Sequence, residues 1–155
     1  MNPQAAQQLA TMDIFSLLGI EGTTDEDREA FLNQLQDAIW EEVVEDELLE
    51  QMTDEEVDSI EQTIVNEDIA AEEKRNTLFS MLSDKVPNLE EKLAETTNRL
   101  KYDLLGERVD GLREFYAENA QQLGVLDQVE QLVEAGNVVE AVAMLNKQQA
   151  ENTSA

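Results

Sequence analysis

The sequence contains no cysteine and no histidine. Without cysteine, the chain has neither a disulfide framework nor a thiolate metal site. Without histidine, it lacks Ser/His and Cys/His catalytic triads, imidazole ligands for zinc and the side chain that most often serves as a pH switch near neutrality. The di-iron chemistry of helical bundles is excluded for the same reason, because its Glu-x-x-His motif cannot be built.

Basic residues are also scarce. The 155 residues include 36 acidic and 10 basic ones, which gives a formal net charge of -26 at pH 7. Repulsion therefore disfavours direct binding to nucleic acid or to an anionic membrane, and a cationic partner is the natural complement. Most of the imbalance lies in residues 1–72, with 21 acids and one base, whereas residues 73–155 hold 15 acids and nine bases.

Long apolar runs are absent as well. The first twenty residues contain neither Lys nor Arg and no apolar run of signal-peptide length. No stretch approaches the roughly 20 apolar residues that a membrane span requires. From these features we expect a cytoplasmic protein.

The spacing of the apolar residues predicts the fold class. They recur three and four residues apart and rarely alternate, and only seven residues are aromatic, so the sequence favours an all-α chain. We expect a helical bundle of about six or seven helices with a C-terminal helical hairpin. The predicted regions are a flexible N-terminus (1–11), an acidic helical domain (12–119), the hairpin, packed on that domain or appended to it (120–147), and a disordered tail (148–155).

Cap and turn residues predict where the helices begin and end. In MTDEEV, Thr53 is placed to cap a helix while Glu56 completes a capping box. A helix from Thr24 to about Met52 is expected to bury a broad apolar stripe. The residues of that stripe are Phe31, Leu32, Leu35, Ile39, Val43, Val44, Leu48 and Leu49. The other predicted boundary residues are Gly19, Asn88, Gly136 and Asn137.

The most acidic stretch of the chain is residues 40–62, in which eleven of 23 residues are acidic and none is basic. On a helix, like charges four apart, such as Glu41 and Glu45, repel each other by roughly 0.2–0.5 kcal/mol. Because this arrangement does not improve stability, the stretch is either a solvated face or a binding surface. We interpret the chain as a non-enzymatic protein-interaction module that engages a basic protein or segment. The predicted partner-binding residues are Glu41, Glu42, Glu45, Asp46, Glu50, Asp54, Glu55, Asp58 and Glu61.

Three alternatives stay open. The acidic helix is suited to mimicking nucleic acid, or the C-terminal hairpin serves a structural or adapter role through docking or homodimerisation. The third is catalytic, because EEVVE at 41–45 and EEVD at 55–58 look like the EExxE and ExxD pattern of the all-helical nucleoside triphosphate pyrophosphatases of the MazG type. That resemblance implies Mg²⁺ held by carboxylates. The two halves are closer here than in that family and no base lies within the stretch, so we expect no enzyme, no metal site and no cofactor.

Three blocks of sequence resemble a known family. They are DIFSLLGIEG, AFLNQLQDAIWEEVVEDELLEQMTDEEVDSIEQ and LSDKVPNLEEKLAETTNRLKYDLL, and VPNLEEKLAE is the most specific part. Over residues 12 to about 105 the chain is similar to a family of small, acidic, all-helical proteins of unknown function from uncultured candidate-phylum bacteria. The resemblance implies a helical bacterial domain and assigns no chemistry to any position.

Overall fold

The structure is a computed structural model that describes residues 2–47 and 52–153. Within these residues it contains eight α-helices and no strand, which confirms the all-α prediction. The helices are α1 (Pro3–Thr11), α2 (Ile14–Leu18), α3 (Asp25–Glu47), α4 (Asp54–Val65), α5 (Ala71–Leu82), α6 (Leu89–Phe115), α7 (Ala120–Glu134) and α8 (Val138–Thr153).

The predicted boundary residues lie at helix ends. The Thr53 hydroxyl accepts a 3.3 Å hydrogen bond from the Glu56 amide at the start of α4 and donates to the Glu56 carboxylate at 3.1 Å. Gly19 ends α2 with a φ of 70°, in the left-handed region that favours glycine. Asn88 precedes α6 with a φ of 62°, and its carbonyl oxygen accepts a hydrogen bond from the Lys92 amide. Local sequence therefore predicts these ends correctly.

The chain divides into two compact units. The central unit is Thr23–Thr97, and the terminal unit combines Met1–Gly22 with Asn98–Ala155. The central unit contains α3, α4, α5 and the beginning of α6, whereas the terminal unit contains α1, α2, the remainder of α6, α7 and α8.

The core of the central unit forms where the apolar faces of α3, α4 and α5 meet. Its buried members are Trp40, Val43, Val44, Ile60, Ile64, Leu78, Leu82, Val86 and Leu89. Trp40 is only 2% exposed and belongs to this core, but Leu32, predicted to belong to the buried stripe, is 46% exposed. The stripe is therefore buried mainly toward the C-terminal part of α3. The predicted stripe residues Leu48 and Leu49 lie outside the described residues.

A buried lysine connects three helices of the central unit. The Lys74 side chain on α5 is 7% exposed, and its ammonium donates to the Ile64 carbonyl oxygen on α4 at 2.7 Å and to the Asp37 carboxylate on α3 at 3.1 Å. Ile64 lies in the last turn of α4, where carbonyl groups lack intrahelical partners and favour a cation. Lys74 therefore satisfies a helix end inside the core.

Two basic side chains of α6 also donate to carbonyl groups at helix ends, in the terminal unit. Lys101 donates to the carbonyl oxygens of Leu9 and Met12 at the end of α1, and Arg108 donates to the Leu17 carbonyl near the end of α2 at 2.7 Å. Burial lowers the pKa of Lys101, against an opposing effect of nearby Asp13, and burial also lowers the pKa of Arg108. Each cation thus gives up hydration to cap a neighbouring helix.

The C-terminal hairpin forms much of the terminal core. Helices α7 and α8 pack against each other, and α8 also contacts α1 and α2. The buried hairpin residues are Leu126, Val129, Val138, Ala141, Val142 and Leu145. At the turn, Gly136 has a φ of 89° and the Asn137 amide donates to the Leu132 carbonyl at 2.8 Å, as expected from the Gly-Asn signal.

The ends of the chain differ from the sequence expectation. The segment predicted to be flexible over residues 1–11 contains α1, because the Asn2 side chain caps the helix, Pro3 suits its first turn, and Ala5 and Leu9 are fully buried. The predicted tail contains the last turns of α8, in which Gln148 is 4% exposed and donates to the Gln122 side chain at 2.7 Å. The polar composition of both ends suggested disorder. In the fold, contacts of Ala5, Leu9 and Gln148 with the rest of the terminal unit hold them in helices.

Candidate partner-binding site

A groove with a volume of about 240 Å³ runs between α3 and α4 in the central unit. Its lining combines three acidic residues with three aliphatic ones. These are Glu41, Glu45 and Glu61, and Val44, Ile64 and Val65. We call this the α3/α4 groove.

Helical spacing determines which side chains of α4 reach the groove. Ile60 and Ile64, four residues apart, are fully buried and attach α4 to the core. Asp58, Glu61 and Val65 follow one another at spacings of three and four, so they share an adjacent, exposed face of the same helix. The core contacts of α4 therefore leave Glu61 and Val65 at the rim of the groove.

The acidic residues of the groove are not neutralised by the protein itself. Glu41, Glu45 and Glu61 are exposed, and within the described part of the chain none of the three has an ion-pair partner. Glu45 also lies in the last described turn of α3, where the helix dipole disfavours an anion. The groove therefore presents negative charge that a cationic ligand would relieve.

Two of the bases of the central unit form pairs away from the groove. Thr23–Thr97 holds 24 acidic and five basic residues, a net -19, whereas the terminal unit holds 12 and five, a net -7. Lys74 is buried against Asp37 and Ile64, and Lys85 forms a salt bridge with Glu56. Two of the five bases are thus engaged in internal pairs that do not include the groove carboxylates.

The structure separates the nine predicted partner-binding residues. Glu41, Glu45 and Glu61 line the α3/α4 groove, and Asp54 and Asp58 are exposed on α4.

Glu42 is half-buried and has an interaction partner of its own. Glu55 lines a separate depression together with Met52 and Met81, on another side of α4. Asp46 belongs to α3 but its side chain is outside the described residues, as is Glu50. Among the described residues, the acidic stretch is therefore not one continuous face.

The pyrophosphatase-like pattern is divided in the same way. Its members Glu41 and Glu45 lie in the α3/α4 groove, whereas Glu55 lies in the other depression. Among the residues that the structure describes, no group of three or more acidic side chains is placed to hold a metal ion.

Sequence reasoning missed Val65. Its side chain is 63% exposed, although Ile64 beside it is fully buried. The pattern contained a signal, because Val57, Ile60 and Ile64 already complete the core-facing stripe of α4, and a further aliphatic residue at 65 falls outside that stripe. An aliphatic side chain outside the core stripe is a candidate contact residue.

The hairpin offers less apolar surface than its sequence suggests. Its regularly spaced aliphatic residues face the core of the terminal unit, and Val139, at 55%, is its one large aliphatic residue that is strongly exposed among those described. Among the described residues of the hairpin, Val139 is therefore the most exposed aliphatic candidate for a docking or dimer contact.

Comparison of the chain with protein-family models, curated proteins and solved structures gives no match. In the described ranges, none of the helices has the length and apolar character needed to cross a membrane. The family resemblance noted in the sequence stays a prediction.

Proposed function

We propose that this protein is a non-enzymatic interaction module that binds a basic protein segment through the α3/α4 groove. The observation that carries the proposal is that Glu41, Glu45 and Glu61 line one groove with three aliphatic residues and, among the described residues, have no ion-pair partner. Carboxylates placed this way steer cationic partners toward the site and repel anionic ones. Accordingly, the proposed partner is a protein in the cytoplasm, and the chain does not bind nucleic acid or membranes directly.

The charge distribution supports the same assignment. The negative charge is concentrated in the unit that contains the groove, because the central unit carries a net -19 and the terminal unit a net -7. Within the central unit, Glu41 and Glu45 lie one helical turn apart on α3 and repel each other. A Lys or Arg side chain bound between them would attract both carboxylates and offset their mutual repulsion.

The test is an affinity capture with three baits, using nuclease-treated cell lysate. The baits are the native protein, the groove variant E41Q/E45Q/E61Q and the control variant E107Q/E114Q/E118Q, which loses the same charge from exposed positions of the terminal unit. Gln preserves side-chain size and helix propensity. We expect the native and control baits to retain basic proteins at about 50 mM salt and release them at several hundred millimolar, and the groove variant to lose them.

The results of the capture separate the proposal from its alternatives. If all three baits retain the same proteins, or none retains any, the acidic residues serve solubility and the groove is not a recognition site. If the retained proteins bind nucleic acid and DNA displaces them from the bait, the groove acts as a nucleic-acid mimic; if DNA does not displace them, it is a dock for a basic segment. A bait that associates with itself, detected by light scattering, would favour a homodimer.

A further inference from the structure

The aliphatic lining of the α3/α4 groove includes one side chain that is exposed to water. Val44 and Ile64 are 2% and 0% exposed, but Val65, which lines the same groove, is 63% exposed. An aliphatic side chain left in water beside a buried apolar surface gains free energy when a partner covers it. Charge alone would not require an aliphatic residue at this position.

The carboxylates lie on both sides of that lining. Glu41 and Glu45 belong to α3, and Glu61 belongs to α4. Four residues on α3 span about 6 Å along the helix axis, which equals the distance between two bases spaced i and i+4 on a helical partner. The aliphatic lining and its acidic flanks therefore match a segment with an aliphatic residue on one side of a helix and Lys or Arg next to it.

We infer that the α3/α4 groove is selective for a basic amphipathic helix, with an aliphatic side chain packed on Val65 and bases paired with Glu41, Glu45 and Glu61. This inference rests on the proposed function and adds the class of its partner. Recognition of this kind is common, because an amphipathic helix can place its apolar face in a hydrophobic groove.

Other occupants fit the groove less well. A second copy of this chain carries a net charge of -26 itself, and a lipid surface or nucleic acid is also anionic, so each would be repelled by the carboxylates. A bare metal ion would need acidic side chains grouped around it, and no such group of three occurs among the residues described. Charge and apolar character together favour a basic, amphipathic peptide.

Fluorescence anisotropy with two synthetic peptides tests the inference. One is a Lys-rich amphipathic peptide of about five turns, with Leu at i, i+3, i+4 and i+7, and the other has the same composition in scrambled order. Each is titrated with the native protein, with Val65→Ser, and with Val139→Ser, which alters a similarly exposed valine of the terminal unit. The E41Q/E45Q/E61Q and E107Q/E114Q/E118Q variants complete the set.

We expect the native protein to bind the amphipathic peptide about tenfold more tightly than the scrambled one, as burial of one aliphatic side chain would give. Val65→Ser should weaken binding of the amphipathic peptide about tenfold, while Val139→Ser should leave that affinity unchanged. The groove variant should bind both peptides weakly at all salt concentrations, and the peptide should gain helical circular dichroism on binding. Far-ultraviolet circular dichroism of each variant alone verifies that it is folded, and the fluorescence of Trp40 verifies the core of the central unit.

Two results would overturn the inference. The first would leave the proposed function standing, and the second would refute both. If both peptides bind the native protein equally and Val65→Ser changes nothing, the groove recognises charge alone; the proposed function then stands without the amphipathic selectivity. If neither peptide binds, or E41Q/E45Q/E61Q binds as well as the native protein, the proposed function falls together with the inference.

Discussion

The ammonium of Lys74 donates a 2.7 Å hydrogen bond to the carbonyl oxygen of Ile64. This contact joins α5 to the last turn of α4, and the same ammonium reaches Asp37 on α3. Lys74 is the first base after Arg28 in the sequence, and counted by composition alone it would offset the acidic stretch before it. In the fold it is buried, and it stabilises the core beneath the groove and leaves the groove carboxylates negative.

Substitution of Lys74 should destabilise the central unit. Lys74→Met keeps the apolar stem but leaves the Ile64 carbonyl and the Asp37 carboxylate without this donor, which we expect to lower the free energy of unfolding by about 1–3 kcal/mol. Urea unfolding followed by Trp40 fluorescence measures the change, because Trp40 is the only tryptophan and lies in this core. The control is Arg75→Met at the exposed neighbouring position, where we expect a change within about 0.5 kcal/mol. Equal effects of the two substitutions would refute the role of Lys74.

Two glycines of the terminal unit should respond to alanine in opposite directions. At Gly19, φ is 70° and an added Cβ would collide with the Arg108 guanidinium and the Gln149 amide, so Gly19→Ala should destabilise by about 1–2 kcal/mol or more. At Gly124, inside α7, an added Cβ meets nothing within 4 Å, so Gly124→Ala should stabilise by roughly 0.5–1 kcal/mol. Thermal unfolding by far-ultraviolet circular dichroism measures both. A Gly19→Ala protein as stable as the native one would contradict the cap geometry.

The start of α6 gives a third prediction. Asn88 adopts a φ of 62°, a conformation that Asn tolerates and that a β-branched residue does not. Asn88→Gly should keep or slightly raise the stability, and Asn88→Val should lower it by about 1–2 kcal/mol. Chemical unfolding of the two variants provides the comparison, and a Val variant that equals the Gly variant would mean that position 88 has no left-handed requirement.

Added salt should stabilise the folded protein. The central unit holds a net charge of -19, and its self-repulsion is screened as the Debye length falls from about 30 Å at 10 mM to about 10 Å at 0.1 M. The midpoint of thermal unfolding followed by Trp40 should therefore rise with NaCl. KCl should act equally, and E41Q/E45Q/E61Q should show a smaller rise than the native protein. A midpoint that falls with salt would show that attractive ion pairs dominate over repulsion.

Local sequence determined the helices because their signals are local. The spacing of apolar residues, the capping box at Thr53, the glycine at 19 and the Gly-Asn turn before α8 each act within a few residues of where they occur. The first helix was missed because its buried face has only Ala5 and Leu9 among polar neighbours, so its order depends on contacts with the rest of the terminal unit. Composition likewise gave the excess negative charge, since that requires only counting.

The tertiary structure alone decided which acidic residues belong together. Glu41 and Glu61 are twenty positions apart, and they meet because α4 packs on α3 in one particular register. The same register directs Glu55 to another depression, leaves Val65 in water and turns Lys74 inward. Helical periodicity places a residue on a face of its own helix but does not state which helix that face will meet, since that depends on how all the apolar faces of the unit pack together.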